Sequence, residues 1–155
     1  MQPVIDKIRE HIAGRGLPPP ASAAEIDGAE HQLAFPLPQL LRELYATLAD
    51  GGFGPSYGLL PLLKPAPDES AFESVVLLYS LLRRGDRECP ATPWPERLLP
   101  ILHWGCAILS CVDCSSPLLP VLRADSSGSL VAEAPSLEDW LNDWLAGRDL
   151  WTIHA

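Results

Sequence analysis

The chain is short of positive charge. Eleven lysines and arginines stand against 20 aspartates and glutamates, for a formal charge of −9. Direct nucleic-acid binding needs a basic footprint that displaces counterions, so that class is disfavoured. Long apolar runs are also missing. The longest strongly apolar stretch, "VVLLYSLL", falls far short of the roughly 20 residues that span a bilayer. The opening "MQPVIDKIREHIAG" has no unbroken apolar segment of the export kind, so a cytoplasmic location is expected. In that compartment the four cysteines would be reduced thiols. A phosphate-cradling loop would follow a strand and open a helix. The G-x-G within "GGFG" at 51–54 follows a helix instead, and its glycines read as tight turns.

What is present suits a folded protein. The 155 residues are 47% hydrophobic and 20% charged, which fits one domain, 1–155, around one core. The 17 prolines are about twice the usual share and sit mostly between apolar runs. Short elements joined by stiff turns are expected.

Val4, Ile5, Ile8 and Ile12 recur at helical spacing, and Gly14 and Gly16 end that segment. After "LPPPA", Ser22 and Glu25 make an S-x-x-E capping box that opens a second helix. "PLPQLLRELYATLADGG" carries the clearest amphipathic stripe, with Gly51 placed as its stop. "YGLLPL" reads as a short strand. "DESAFESVVLLYSLLRRG" reads as a helix with Asp68 as N-cap and Gly85 as stop, and 90–100 as a surface connection. From Leu98 the pattern changes. "LLPILHWG", "CAILSCVD", "LLPVLRAD" and "SLVAEA" are short, apolar and separated by turn residues, as in an antiparallel meander. "ADSSGSL" is the plainest hairpin turn. "PSLEDWLNDWLAG" is a capped amphipathic helix. The expected fold is α+β: N-terminal helices, an antiparallel β-sheet and a C-terminal amphipathic helix.

Three cysteines lie within "GCAILSCVDC", spaced C-x4-C-x2-C as in the first part of a plant-type ferredoxin pattern. Strand alternation would place Cys106 and Cys114 on one face and Cys111 on the other, whereas a cluster or zinc site needs converging thiolates. The fourth thiol, Cys89, lies upstream. Cys111-x-x-Cys114 lacks the following helix that activates a redox pair. Packing as small apolar side chains is the favoured reading. A thiolate metal or redox protein using Cys106, Cys111 and Cys114 stays open as the other class. His103, Cys106 and Asp113 can be imagined as a nucleophile system, though without any local signature. Trp140 and Trp144, four apart on an amphipathic helix, favour core over a sugar platform. No catalytic set, cofactor or metal site is expected.

Four stretches together resemble the SMI1/KNR4 family of the SUKH superfamily. They are "LPPPASAAEIDGAEHQLAFPLPQLLRELYATLADGGFG" (17–54), "GLLPL", "ILHWGCAILSCVD" and "SLEDWLNDWLAG". Ala34 stands where the family often has glycine, and Asp50 where it often has asparagine. The resemblance implies a SUKH-like α+β fold without enzymatic activity. Many bacterial members look like immunity proteins that bind and neutralise a cognate toxin, often a nuclease, in the cytoplasm. Others are regulatory or scaffolding proteins. The partner expected here is a protein, a basic toxin domain, with no direct nucleic-acid or membrane contact.

Residues 125–149 carry six acids (Asp125, Glu133, Glu138, Asp139, Asp143, Asp149) against Arg148 alone, which reads as a solvated face. Candidate partner-binding residues are Asp50, Phe53 and Tyr57 in one loop, Asp113 after the central strand, and Asp125, Glu138, Asp139 and Asp143. Phe53 and Tyr57 are expected to be partly exposed.

Overall fold

The structure is a computed structural model that describes residues 2–63, 73–85, 93–125, 127 and 129–153. Helix α1 (Gln2–Ile12) buries Val4, Ile5, Ile8 and Ile12, the stripe that its periodicity predicts. Helix α2 (Ala23–Leu33) opens with the expected reciprocal cap. The Glu25 amide donates to Ser22 Oγ at 3.1 Å, and the Ser22 amide donates to the Glu25 carboxylate at 3.1 Å. Two of the helix's orphan donors are thereby satisfied. The helix closes on Ala34 in the left-handed region, φ 66.

The long helix expected after Pro36 is only half α-helical. Helix α3 (Gln39–Glu43) continues as a π-helix over Leu44–Leu48. There the Tyr45 carbonyl accepts the Ala21 amide at 2.8 Å, and the Tyr45 hydroxyl donates to the Leu60 carbonyl at 2.6 Å. A wide turn lets one buried residue tie two distant segments. Gly51 is needed for a different reason from helix termination. A Cβ at its φ of +85 would lie 2.6 Å from the Leu59 carbonyl oxygen.

The expected strand "YGLLPL" joins no ladder: Tyr57 lies in a turn and Gly58 is at φ 84. Its amides are taken up separately: Leu59 N–H donates to Phe53 O, Leu60 N–H to the Ile101 carbonyl at 2.8 Å, and Leu62 N–H to Asp50 Oδ1. The Pro61 and Leu62 carbonyls accept Val75 N–H and Val76 N–H. This stretch therefore seats the first turn of helix α4 (Val75–Arg84), whose N-cap is Ser74 and whose C-cap is Gly85 at φ 74. Asp68, expected as that cap, lies outside the described residues.

Segment 93–97 is not wholly a surface connection. Trp94 is buried, with its indole N–H on the Leu98 carbonyl at 2.8 Å. Strands β1 (Leu98–Gly105), β2 (Ile108–Asp113), β3 (Val121–Ala124) and β4 (Leu130–Ala134) form an antiparallel meander in sequential order. Helix α4 packs on β1. Helix α5 (Leu137–Leu145), capped by Ser136, packs on β4 and α1. A short helix α6 (Leu150–Ile153) follows. The buried apolar side chains form one continuous cluster. The α+β class and its C-terminal helix are as the sequence implies. Among the described residues no helix is long and apolar enough to cross a membrane.

Candidate partner-binding surface

The cysteines separate. Strand β2 begins at Ile108, so Cys106 is not on it, contrary to the simple alternation. Cys106 and Ala107 form the β1–β2 turn in the left-handed region, φ 54 and 62, and Cys106 is exposed. Cys111 is wholly buried in mid-strand. Cys114 follows the strand and is half-buried, and burial beside Asp113 pushes its thiol up to about 12. Among the described residues no three His, Cys, Asp or Glu side chains stand where they could hold a metal ion. Cys89 lies outside those residues. His103, Cys106 and Asp113 do not meet either: Asp113 is at the opposite end of β2 from the Cys106 turn.

The candidate acids divide into unlike groups. Asp50 is structural: Oδ1 accepts the Leu62 amide at 2.9 Å, and its own amide donates to the Pro19 carbonyl. Burial holds its carboxyl above the ordinary range, with the Leu62 amide pulling the other way. Phe53 is a correction. Expected at the surface, it is 0% exposed, with its ring 6.5 Å from that of Trp144. Glycines 51 and 52, both at φ 85, turn the chain inward, and Leu59 N–H on the Phe53 carbonyl holds it there. Tyr57, at the tip of that loop, is 66% exposed.

Asp113 Oδ1 accepts from the Ser115 amide and hydroxyl, and Asp125 Oδ1 accepts in the same way from Ser127. The two Ser127 bonds hold the exposed Asp125 carboxyl below its ordinary range. Strand register decides which acids are neighbours. Val112 pairs with Val121, and Val121 with Ala134. Asp113 and the start of α5, with Glu138 and Asp139, therefore emerge at one end of the sheet. Asp125 leaves β3 at the other end, roughly 17 Å along the strands from the level of Asp113, beside the Cys106 turn. Asp143 lies one turn beyond Asp139 on the same helix and pairs with Arg148 at 3.0 Å.

Glu133 is the acid that the sequence misplaces. It is not on a solvated face: its side chain is 0% exposed and pairs at 2.8 Å with Arg123, itself 8% exposed. Glu133 Oε1 also accepts from Ser110 Oγ at 2.9 Å and from the Trp140 indole N–H at 2.6 Å. Ser110 in turn accepts from the Trp104 indole at 2.7 Å. The Arg123 guanidinium lies against both the Trp104 and Trp151 rings, 5.0 and 4.9 Å from their centroids, and the two rings meet each other at 5.5 Å; it donates to the Leu150 and Trp151 carbonyls. One buried pair thus joins β2, β3, β4, α5 and α6. A signal existed in the sequence: an arginine in "LLPVLRAD" and a glutamate in "SLVAEA", each inside an apolar strand of a meander, can meet across it.

A family model for SMI1 / KNR4 (SUKH-1) matches residues 20–143. The chain belongs to the SMI1/KNR4 family. The SUKH-1 match starts at Pro20 and ends within α5. It takes in Asp50, Asp113, Asp125, Glu138, Asp139, Asp143 and the Arg123–Glu133 pair, and it leaves α1 and α6 outside. No curated protein matches this SUKH-1 chain at a significant level.

Proposed function

We propose that this SUKH-1 chain is a non-enzymatic protein-binding domain, an immunity protein that binds and neutralises a cognate toxin in the cytoplasm. The partner is a basic domain, and a nuclease is the natural case because its substrate cleft is basic. The observation that carries the reading is the placement of Asp113, Glu138 and Asp139 at one end of the sheet, with Asp143 following on α5, in a family member of charge −9. An acidic patch steers a basic partner and fixes its register.

The test is co-expression with the toxin encoded beside the gene, followed by binding measured at several salt concentrations. Neutralisation of the toxin is the expected result. Asp139→Lys with Asp143→Lys should weaken binding about tenfold or more at low salt and flatten its salt dependence. A neighbouring toxin that is neither bound nor neutralised sinks the immunity role. Neutralisation with unchanged affinity in the reversed variant moves the interface away from α5.

A further inference from the structure

The two edges of the sheet differ. Strand β1 is covered: helix α4 packs on it, and the Leu60 amide donates to its Ile101 carbonyl at 2.8 Å. Strand β4 is the other edge. Its last two residues, Glu133 and Ala134, are buried where α5 begins, whereas Leu130, Val131 and Ala132 are exposed. Among the described residues, no backbone bond from a loop or cap reaches residues 130–132. The Asp125 amide donates to the Ser129 carbonyl, and Arg123 pairs with Val131. By the alternation of an antiparallel ladder, Leu130 and Ala132 then turn their own N–H and C=O groups outward.

Edge strands are ordinarily blunted by a lysine, a proline or a bulge. Residues 130–132 carry no charge and no proline, and the register shift falls past them, at Glu133. Their side chains are apolar on both faces of the sheet. Leu130, paired with Ala124, is 37% exposed. Val131 is 47% exposed on the face of Arg123, where Trp151, against the guanidinium, is 40% exposed. Carboxylates bracket the strand: Asp125 precedes it, and Asp139 follows it in the first turn of α5. The base between them, Arg123, is buried and paired with Glu133.

We infer that the toxin docks by adding a strand to β4, through an extended segment with an apolar centre and lysine or arginine at each end. This docking rests on the toxin-binding reading above and extends its contact from the acidic end of the sheet along the edge. Such a segment takes main-chain bonds from residues 130 and 132. It sets alternate side chains against Leu130 on one face and against Val131 and Trp151 on the other, and it brings its charges to Asp125 and Asp139. A second copy of this chain fits worse. Two β4 strands paired antiparallel set Asp125 of each toward Asp139 of the other, like charge on like.

Amide hydrogen exchange followed by NMR on the full chain tests this, with a peptide of alternating valine and threonine that carries paired lysines at each end. The peptide should slow exchange at Leu130 and Ala132 saturably and leave Val131, already bonded to Arg123, little changed. The same peptide with glutamates for lysines should bind about tenfold more weakly or worse. Ala132→Pro, which removes one outward N–H, should weaken binding of the lysine peptide about tenfold or more. Leu130→Lys should do the same, and it carries the test if the proline variant misfolds. No saturable protection, equal binding of the glutamate peptide, or unchanged binding in Leu130→Lys overturns the inference. So does protection of both amides in the free chain together with a dimer in sedimentation, which gives the edge to a second copy. The neighbouring toxin separates the two readings. Peptide binding without neutralisation sinks the immunity role alone, and neutralisation with Leu130 and Ala132 still unprotected in the complex sinks strand addition alone.

Discussion

Replacing Glu133 by glutamine changes one atom and should destabilise the whole chain. Oε1 can keep its bonds from Ser110 and Trp140, but an NH2 group now faces the Arg123 Nε–H, which had donated to Oε2 at 2.8 Å. Two donors oppose each other, and the guanidinium keeps its charge at 8% exposure. Removing one partner of a buried pair costs about 3–5 kcal/mol, against a total stability of about 5–15 kcal/mol for a domain. In a chain of this length that corresponds to a fall in Tm of about 6–20 °C. Urea unfolding followed by tryptophan fluorescence is a suitable assay, because the Trp104 and Trp151 rings both lie against Arg123. The double variant Arg123→Met, Glu133→Met should recover part of the loss by removing both charges. It should not recover all of it, since the Trp140 N–H then lacks its acceptor, a penalty of about 1–3 kcal/mol. If Glu133→Gln lies within about 1 kcal/mol of the parent, the pair is hydrated in solution and α6 is not seated over it.

Three other outcomes follow from single positions. Gly58→Ala should lose about 1–3 kcal/mol in the same unfolding assay, because a Cβ there, at φ +84, would lie 2.5 Å from the Gly52 carbonyl carbon; Gly85→Ala, with open space around it, should lose less. Asp50, whose acid is weakened by burial, has a folded pKa above its unfolded one, so its contribution is fullest at low pH and is lost as pH rises past the carboxylate range. Asp50→Asn should therefore flatten the fall in stability over that range, as read from urea midpoints at successive pH values; parallel profiles for the two proteins would contradict it. Brief iodoacetamide treatment of the native chain at pH 8, read by peptide mass spectrometry, should label the exposed Cys106 and spare Cys111 and Cys114. Labelling of Cys114 as fast as Cys106 would refute the assignment of burial at that thiol.

Where short-range rules suffice, sequence and structure agree. The Ser22–Glu25 box, the Ser136 cap and Gly85 at the end of α4 depend on residues within a turn of one another. The strand order follows from four apolar segments with short links. Departures arise where a residue answers to a distant partner. Tyr45 bonds to Ala21 and Leu60, and the helix opens into a π-turn. Phe53 is drawn inward toward Trp144 on a helix some ninety residues later. Cys106 leaves its strand because register shifts in β1 place the hairpin turn at 105–108.

By itself the sequence determined the class of fold, the caps of α2 and α5, the family and the sign of the surface charge, because each of these is written in local pattern or in composition. Only the tertiary structure decided that the acids split between the two ends of the sheet and that Glu133 is core. A shift of register near Val121 leaves Glu133 between paired neighbours in β4, and its donors come from three other elements, so its burial becomes favourable only when all of them meet.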